Sequence, residues 1–210
     1  MKVLFLTQTT ALGPSSRYRV YQLLPHLQRL GIEADVSPGV GDALYRCLYL
    51  EPSRRASRLA AFLALWRQRG GDLRRLDQFD AVFVQKGVLP GLSALFETRI
   101  AARKPFVFDF DDAIWLPKVG GSPLGRLLHR ESAVQTILRR AAAVIAGNEF
   151  LAAYARRFHA GVTVIPTAVD LRLYGGRRAG GAEVNPPEAG AAGTAPATQP
   201  ATVGWIGSRS

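Results

Sequence analysis

The chain has 210 residues, of which 48% are apolar, 20% charged and 9% aromatic, enough for one good core or for one domain and the start of another. Twenty-seven Lys and Arg against sixteen Asp and Glu leave a net charge of +11, which points to an anionic partner (nucleic acid, a membrane surface or a phosphorylated substrate), although GC-rich codons alone also enrich a chain in Arg, Ala and Gly. The composition excludes a disordered, collagenous or disulfide-stapled chain, the single Cys47 excludes a cysteine-based zinc cluster, and His26, His129 and His159 are too far apart to form a ligand pair.

Val3 to Leu6 is an apolar run of strand length that passes into polar Thr7-Gln8-Thr9-Thr10. It is too short for the apolar segment of a signal peptide, so the expected location is cytoplasmic. Val20, Leu23, Leu24, Leu27 and Leu30 then follow helical spacing, with Gly31 as a stop and a kink or break expected at Pro25. Ile32 to Val36 reads as a second strand and Pro38 to Pro52 as irregular. A helix is expected over Ala56 to Arg69, with Leu59, Phe62, Leu63 and Trp66 on one side and Arg55, Arg58, Arg67 and Arg69 elsewhere. Its apolar stretch from Leu59 to Trp66 is the longest in the chain and far short of the ~20 residues that span a bilayer.

Ala81 to Val84 is a buried-strand run, Leu89 to Ala102 a helix, and Phe106 to Phe108 a strand that ends in a cluster of aspartates. A helix from about Pro123 to Arg140, a strand at Ala143 to Ile145, a helix from Asn148 to Phe158 and a strand from Val162 to Ile165 complete the alternation. Such alternation, with continuous apolar strands, predicts an α/β fold: a Rossmann-like parallel sheet covered by helices on both faces. Residues 1–174 form this domain. Residues 175–201, rich in Gly, Ala, Pro and Thr, read as a flexible linker. Residues 202–210, Thr-Val-Gly-Trp-Ile-Gly-Ser-Arg-Ser, read as the first strand and glycine loop of a second, truncated domain.

Ligands of such sheets bind at the C-terminal ends of the strands, which selects four loops. The first holds Gly13, Pro14, Ser15, Ser16, Arg17 and Arg19. Gly13 allows close backbone approach, Ser15 or Ser16 can cap the following helix, and the helix N-terminus with Arg17 and Arg19 can receive a phosphate. The spacing is neither a dinucleotide fingerprint nor a P-loop. The second holds Asp109, Asp111 and Asp112 at the end of a strand. Three carboxylates so close raise one another's pKa unless a cation satisfies them, and they can bind sugar hydroxyls, act as a base or bind Mg²⁺. The third holds Thr167 and Asp170 beyond Pro166, and the fourth is Gln85-Lys86-Gly87, from which Lys86 can face the site. Taken alone, the last two also read as ordinary strand exits.

These pieces, in this order, resemble the N-terminal half of bacterial GT-B glycosyltransferases, close to glycosyltransferase family four. The resemblance rests on MKVLFLTQ, GPSSRYRVYQLLPHLQRLGIEADV, FVQK, KPFVFDFDDAIW, AAAVIAGNEFLAAYA and VTVIPTAVD, and runs from Met1 to Tyr174. VGWIGS resembles the opening of the second Rossmann-like domain of the same enzymes. What the resemblance implies is transfer of a sugar from a nucleoside-diphosphate sugar to a cell-envelope lipid or polysaccharide acceptor, usually with retention at the anomeric carbon, and without metal or other cofactor. It places Asp109, Asp111 and Asp112 as catalytic residues on the acceptor side of a cleft. Gly13, Pro14, Ser15, Ser16, Arg17, Arg19, Lys86, Thr167 and Asp170 become substrate-binding residues. Gly207 and Ser208 lie near the donor pyrophosphate.

Two departures stand out. Thr167 and Ala168 occupy positions where many members carry Asn and Gly. The family's two donor-domain glutamates, separated by seven residues, have no counterpart among Glu33, Glu51, Glu97, Glu131, Glu149, Glu183 and Glu188. The expectation is therefore an acceptor half, inactive alone, whose donor half is missing or supplied by a separate chain. The basic, apolar-faced helix near Arg54 to Arg69 suits a peripheral contact at the inner face of the membrane. A non-catalytic module that binds a phosphorylated or glycosyl ligand is the alternative. Aromatic interleaving and a recognition helix are not evident, so no nucleic-acid partner is expected.

Overall fold

The computed structural model describes residues 1–47, 58–89, 94–116 and 131–169. The expected linker and second-domain strand, with Asp170, Gly207 and Ser208, lie outside the described residues, as do parts of the helices expected over 89–102 and 123–140.

Among the described residues the strands form one parallel sheet: β1 (Lys2–Thr9), β2 (Glu33–Val40), β3 (Ala81–Gln85), β4 (Phe106–Phe110), β5 (Ala143–Ala146) and β6 (Val162–Val164), in the order β2-β1-β3-β4-β5-β6. The connections carry helices α1 (Pro14–Arg19), α2 (Leu24–Arg29), α3 (Asp42–Tyr45), α4 (Arg58–Arg74), α5 (Leu95–Ala101), α6 (Glu131–Arg140) and α7 (Glu149–Arg156). This is the Rossmann-like α/β architecture that the alternation predicts. The strand order changes direction between β1 and β3, the switch point at which such sheets open a crevice beyond their strand ends.

Side chains alternate along each strand, so every strand feeds two layers. Leu4, Leu6, Val82, Val84, Phe106, Phe108 and Phe110 enter the larger layer with Phe96 and Ile100 of α5 and Val134, Ile137 and Leu138 of α6. A fully buried Phe or Leu contributes about 1.5–3 kcal/mol relative to exposure, so this layer carries most of the apolar stabilisation. The smaller layer holds Val3, Phe5 and Val20, with Phe83, Leu24 and Leu27 packed against them. Phe5 and Phe83 stack there with ring centroids 5.0 Å apart. Toward the C-terminal strand ends this second layer turns polar. Thr7 follows Phe5, Gln85 follows Phe83 and Asp109 follows Val107, and Gln85 and Asp109 are register partners.

The structure departs from the expected elements in four places. The helix after Gly13 breaks at Val20 (φ −127°, ψ −67°) into α1, a 3-10 turn at Tyr21–Leu23 and α2, so the break precedes Pro25. Pro25 sits in the first turn of α2, where its missing N–H costs nothing. β2 continues through Pro38 to Val40, because an edge strand tolerates a proline, and α3 follows it instead of irregular chain. β4 runs on through Asp109 to Phe110.

The last departure is α4, which continues past Arg69 through Gly70 and Gly71 to Arg74. Arg69 is not a solvated edge residue. It is buried, with Nη2 donating to the Thr7 carbonyl (2.8 Å) and Nη1 to the Ser37 carbonyl (2.9 Å) and to Asp72 Oδ2 (3.1 Å). These bonds fasten the helix to the ends of β1 and β2 and offset the low helix propensity of two glycines.

Candidate active site at the switch point

The loop after β1 enters α1 through Gly13, whose extended backbone (φ −79°, ψ 129°) forms the N-cap without a side-chain hydrogen bond. A Cβ at Gly13 would lie 2.0 Å from Thr9 Oγ1, so only glycine fits there. Pro14 takes the first helical position. Neither serine caps the helix as expected. Ser16 is buried, accepts from the Thr9 amide (3.2 Å) and donates to Gln85 Oε1 (2.8 Å). Ser15 donates to Asp111 Oδ2 (2.8 Å). Both hydroxyls are committed across the sheet, because the loop lies directly over the polar ends of β3 and β4. Arg17 lies against Tyr18, 4.8 Å from the ring centroid, and its Nε has no hydrogen-bond partner.

Arg19, expected beside an anion, is only 6% exposed. Its Nε reaches both oxygens of Asp109 (3.1 and 2.9 Å), and its Nη2 makes a further short contact with the same carboxylate. Its Nη1 donates to the Ile165 carbonyl (2.9 Å) and to Thr167 Oγ1 (3.2 Å). Asp109 is 1% exposed and lies within β4 rather than in the loop beyond it. Burial pushes its carboxyl upward and Arg19 pulls it down; with the guanidinium in bidentate contact we take the pair as ionised. Burial alone would lower Arg19, but Asp109 outweighs it and Arg19 ends above its usual range. The pair thus ties α1, β4 and the exit of β6 together. Gln22 adds a second tie from its Nε2 to the Ala168 carbonyl (2.6 Å).

Lys86 supplies the other counter-charge. It leaves β3 in the left-handed region (φ +57°), followed by Gly87 (φ +101°), and its amide donates to the Asp109 carbonyl (2.7 Å). That turn carries Nζ to 2.8 Å from Asp111 Oδ1 and into a short contact with Asp112 Oδ2. Burial would lower the Lys86 pKa, but the two aspartates outweigh it and hold it above its usual range. Asp112 is exposed and Asp111 partly buried. From β5, Gly147 comes so close that a Cβ would stand 3.0 Å from Asp111 Cα. The expected run of mutually repelling carboxylates is therefore interleaved with cations. Among the described residues, no group of three or more His, Cys, Asp or Glu side chains is arranged to hold a metal ion.

Three residues to which the sequence reading assigned no role hold the turn in place, Gln85 among them although its loop was a candidate. Gln85 is fully buried, and its amide bonds to Ser15, Ser16 and the Gln8 backbone. Gln8 Nε2 donates to the carbonyls of Gln85 (3.1 Å) and Gly87 (2.8 Å). Glu97 of α5, 1% exposed, accepts the Val88 amide at Oε1 (2.6 Å), while Oε2 has no hydrogen-bond partner. Burial lifts its pKa to about 7 against the pull of the Val88 amide and of Arg69. A polar residue closing an apolar strand run, as Gln85 does in Ala-Val-Phe-Val-Gln, is the available sequence signal. Glu97 has none, since its neighbours Phe96 and Ile100 mark the core face only approximately.

Of the candidate residues within the described part, Gly13, Ser15, Ser16, Arg19, Lys86, Asp109, Asp111, Asp112 and Thr167 are joined by the contacts above. Pro14 and Arg17 belong to the same turn. The family model described as Glycosyltransferase Family 4 matches residues 17–173. No curated protein matches the chain. Two crystal structures of HepE from Anabaena match its fold. The one in complex with UDP and glucose has a TM-score of 0.50 at 19% identity, and the one in complex with UDP has 0.45 at 20% identity. Each match covers 83% of this chain and 46% of that one, so the chain spans about half the length of the solved structures it matches. No helix among the described residues is long and apolar enough to cross a membrane.

Proposed function

The chain belongs to glycosyltransferase family 4, and from that premise we propose that it forms the acceptor side of an enzyme that moves a sugar from a nucleoside diphosphate to a hydroxyl of a cell-envelope lipid or polysaccharide, with retention of configuration. The observation that carries this reading is the Ser15, Lys86, Asp111 and Asp112 cluster at the switch point of the sheet. Exposed Asp112 offers its carboxylate oxygens, and partly buried Asp111 its Oδ2, to a sugar or acceptor hydroxyl, with Asp111 Oδ1 buried against Lys86. Lys86 balances their charge and holds them at a fixed spacing. Arg17, whose guanidinium lies over the Tyr18 ring in α1, supplies a cation for the departing diphosphate without a metal. Burial gives Asp109 a positioning role through Arg19, and Thr167 serves with it.

By the resemblance, Asp170 joins the substrate-binding set and Gly207 and Ser208 meet the donor pyrophosphate. The division into a domain at 1–174, a linker at 175–201 and a donor-side strand at 202–210 is part of the same proposal. HepE was crystallised with UDP and glucose, so a UDP-hexose is the first donor to test. We extend the proposal to a peripheral contact with the inner face of the membrane through α4, where Leu63 (52% exposed) and Trp66 (41% exposed) stand beside exposed Arg67. Pelleting with anionic phosphatidylglycerol vesicles but not with neutral ones, lost in Leu63→Ser/Trp66→Ser, is the expected result. Equal pelleting of the variant removes α4 from the contact.

The deciding experiment is Asp111→Asn in the complete enzyme, assayed by transfer of labelled sugar to envelope lipid and glycan acceptors. Transfer should fall by about 10²-fold or more while the thermal midpoint stays within a few degrees. Unchanged turnover takes Asp111 out of the site. Saturable ligand binding with no transfer from any nucleotide sugar identifies a binding module instead.

A further inference from the structure

We infer that Gln85 is a positioning residue, whose amide sets the direction of the Ser15 hydroxyl proton and thereby aims Asp111 at the substrate. The inference rests on the transferase reading of the site.

The hydrogen bonds leave one self-consistent arrangement. Gln85 Oε1 lies 3.3 Å from the Gln8 backbone nitrogen and 2.8 Å from Ser16 Oγ. A backbone N–H can only donate, so the oxygen of the Gln85 amide faces Gln8 and its nitrogen faces Ser15. That nitrogen lies 3.2 Å from Ser15 Oγ and can only donate to it. Ser15 has a single proton, and with Oγ accepting from Gln85 that proton points to Asp111 Oδ2 at 2.8 Å. The chain of donors runs one way, from the Gln8 amide through Gln85 and Ser15 to Asp111.

Lys86 holds the other oxygen of Asp111 at 2.8 Å, and the turn that carries Lys86 is braced by Gln8 Nε2 on Gln85 O and Gly87 O. Gln85 thus sits between the two groups that fix Asp111, yet it is fully buried and out of reach of solvent.

Gln85→Glu reverses the chain. A carboxylate of the same shape has no proton to give once it is ionised, so in assays at about pH 8–9, above the range into which burial lifts Glu97, the Ser15 hydroxyl turns toward it and leaves Asp111. In the complete enzyme the expected loss in kcat is about 10- to 100-fold, the range for removing one hydrogen bond to a charged group, with KM changed less than about threefold. Ser15→Ala should lose as much, Ser15→Thr should recover most of it, and the Gln85→Glu/Ser15→Ala double variant should lose no more than either single change. Additive losses, or wild-type turnover in Gln85→Glu, overturn the proposal.

A second readout does not depend on transfer. In ¹³C-labelled protein the Asp111 side-chain carboxyl resonance should move in the same direction in Ser15→Ala and in Gln85→Glu, and return in Ser15→Thr. A resonance that stays put in Ser15→Ala overturns the proposal even if Gln85→Glu does not fold. Matching displacements in a protein that transfers no sugar would refute the transferase reading while leaving the positioning of Asp111 intact.

Discussion

Glu97 gives the protein an inverted pH response that can be measured directly. Its pKa of about 7 in the folded chain stands against 4.5 for the free side chain, and the cause is burial that the Val88 amide and Arg69 only partly offset. Between those values the folded state binds the proton more tightly than the unfolded state. Stability from this group is therefore complete below about pH 4.5 and is lost as pH rises through 7, opposite to an ion-paired carboxylate. At about 1.4 kcal/mol per unit, the shift is worth roughly 3 kcal/mol in full, of which about 2–3 kcal/mol is lost between pH 5 and pH 8. Glu97→Gln keeps an acceptor for the Val88 amide and removes the titration. Urea unfolding of both proteins at pH 5, 6.5 and 8 reads the difference. With a slope of about 2 kcal/mol/M, the wild-type midpoint should fall by roughly 1 M more than that of Glu97→Gln. The variant's absolute stability also changes, because its amide nitrogen replaces an unpartnered oxygen, so the pH dependence and not the offset is decisive. Parallel pH profiles for the two proteins would refute the reasoning.

Lys86→Gly should separate stability from activity. It relieves about 1 kcal/mol or more of left-handed backbone cost while removing the counter-charge of Asp111 and Asp112, so the melting midpoint should hold within a few degrees as transfer collapses. Retained transfer would show that Lys86 is not needed at the site. Arg19→Met should cost about 3–5 kcal/mol in urea unfolding by leaving Asp109 buried and unpaired, and Asp109→Leu in the same chain should recover much of it. A loss below 1 kcal/mol would mean that the pair is not buried as described.

The sheet was readable from the sequence because buried parallel strands advertise themselves as uninterrupted apolar runs, and all six fall where Val3, Ile32, Ala81, Phe106, Ala143 and Val162 announce them. Their ends were less readable. β4 carries Asp109 inside the sheet because Arg19, ninety residues earlier, supplies its counter-charge, and no local pattern records such a pairing. Arg69 of α4 is the same case: its carbonyl partners Thr7 and Ser37 lie on β1 and β2, far from it in sequence. At the strand ends, the rule that ligands bind there gathers Asp111, Asp112, Lys86 and Ser15 whatever their contacts, and the structure brings these four together. What the rule does not supply is who satisfies whom. The expected capping serines bond across the sheet instead, and Gln85, hidden at the end of an apolar run, organises them.

The cation–carboxylate interleaving has a kinetic consequence. Among the described residues at these strand ends, Arg17, Arg19 and Lys86 match Asp109, Asp111 and Asp112 one for one, in a chain of net charge +11. The proposed nucleoside-diphosphate donor would thus be drawn by the chain's net positive charge and not by an excess of charge among these six residues. With a screening length of about 8 Å at physiological ionic strength, added salt slows its arrival. The time it stays is left to hydrogen bonds, which salt hardly touches.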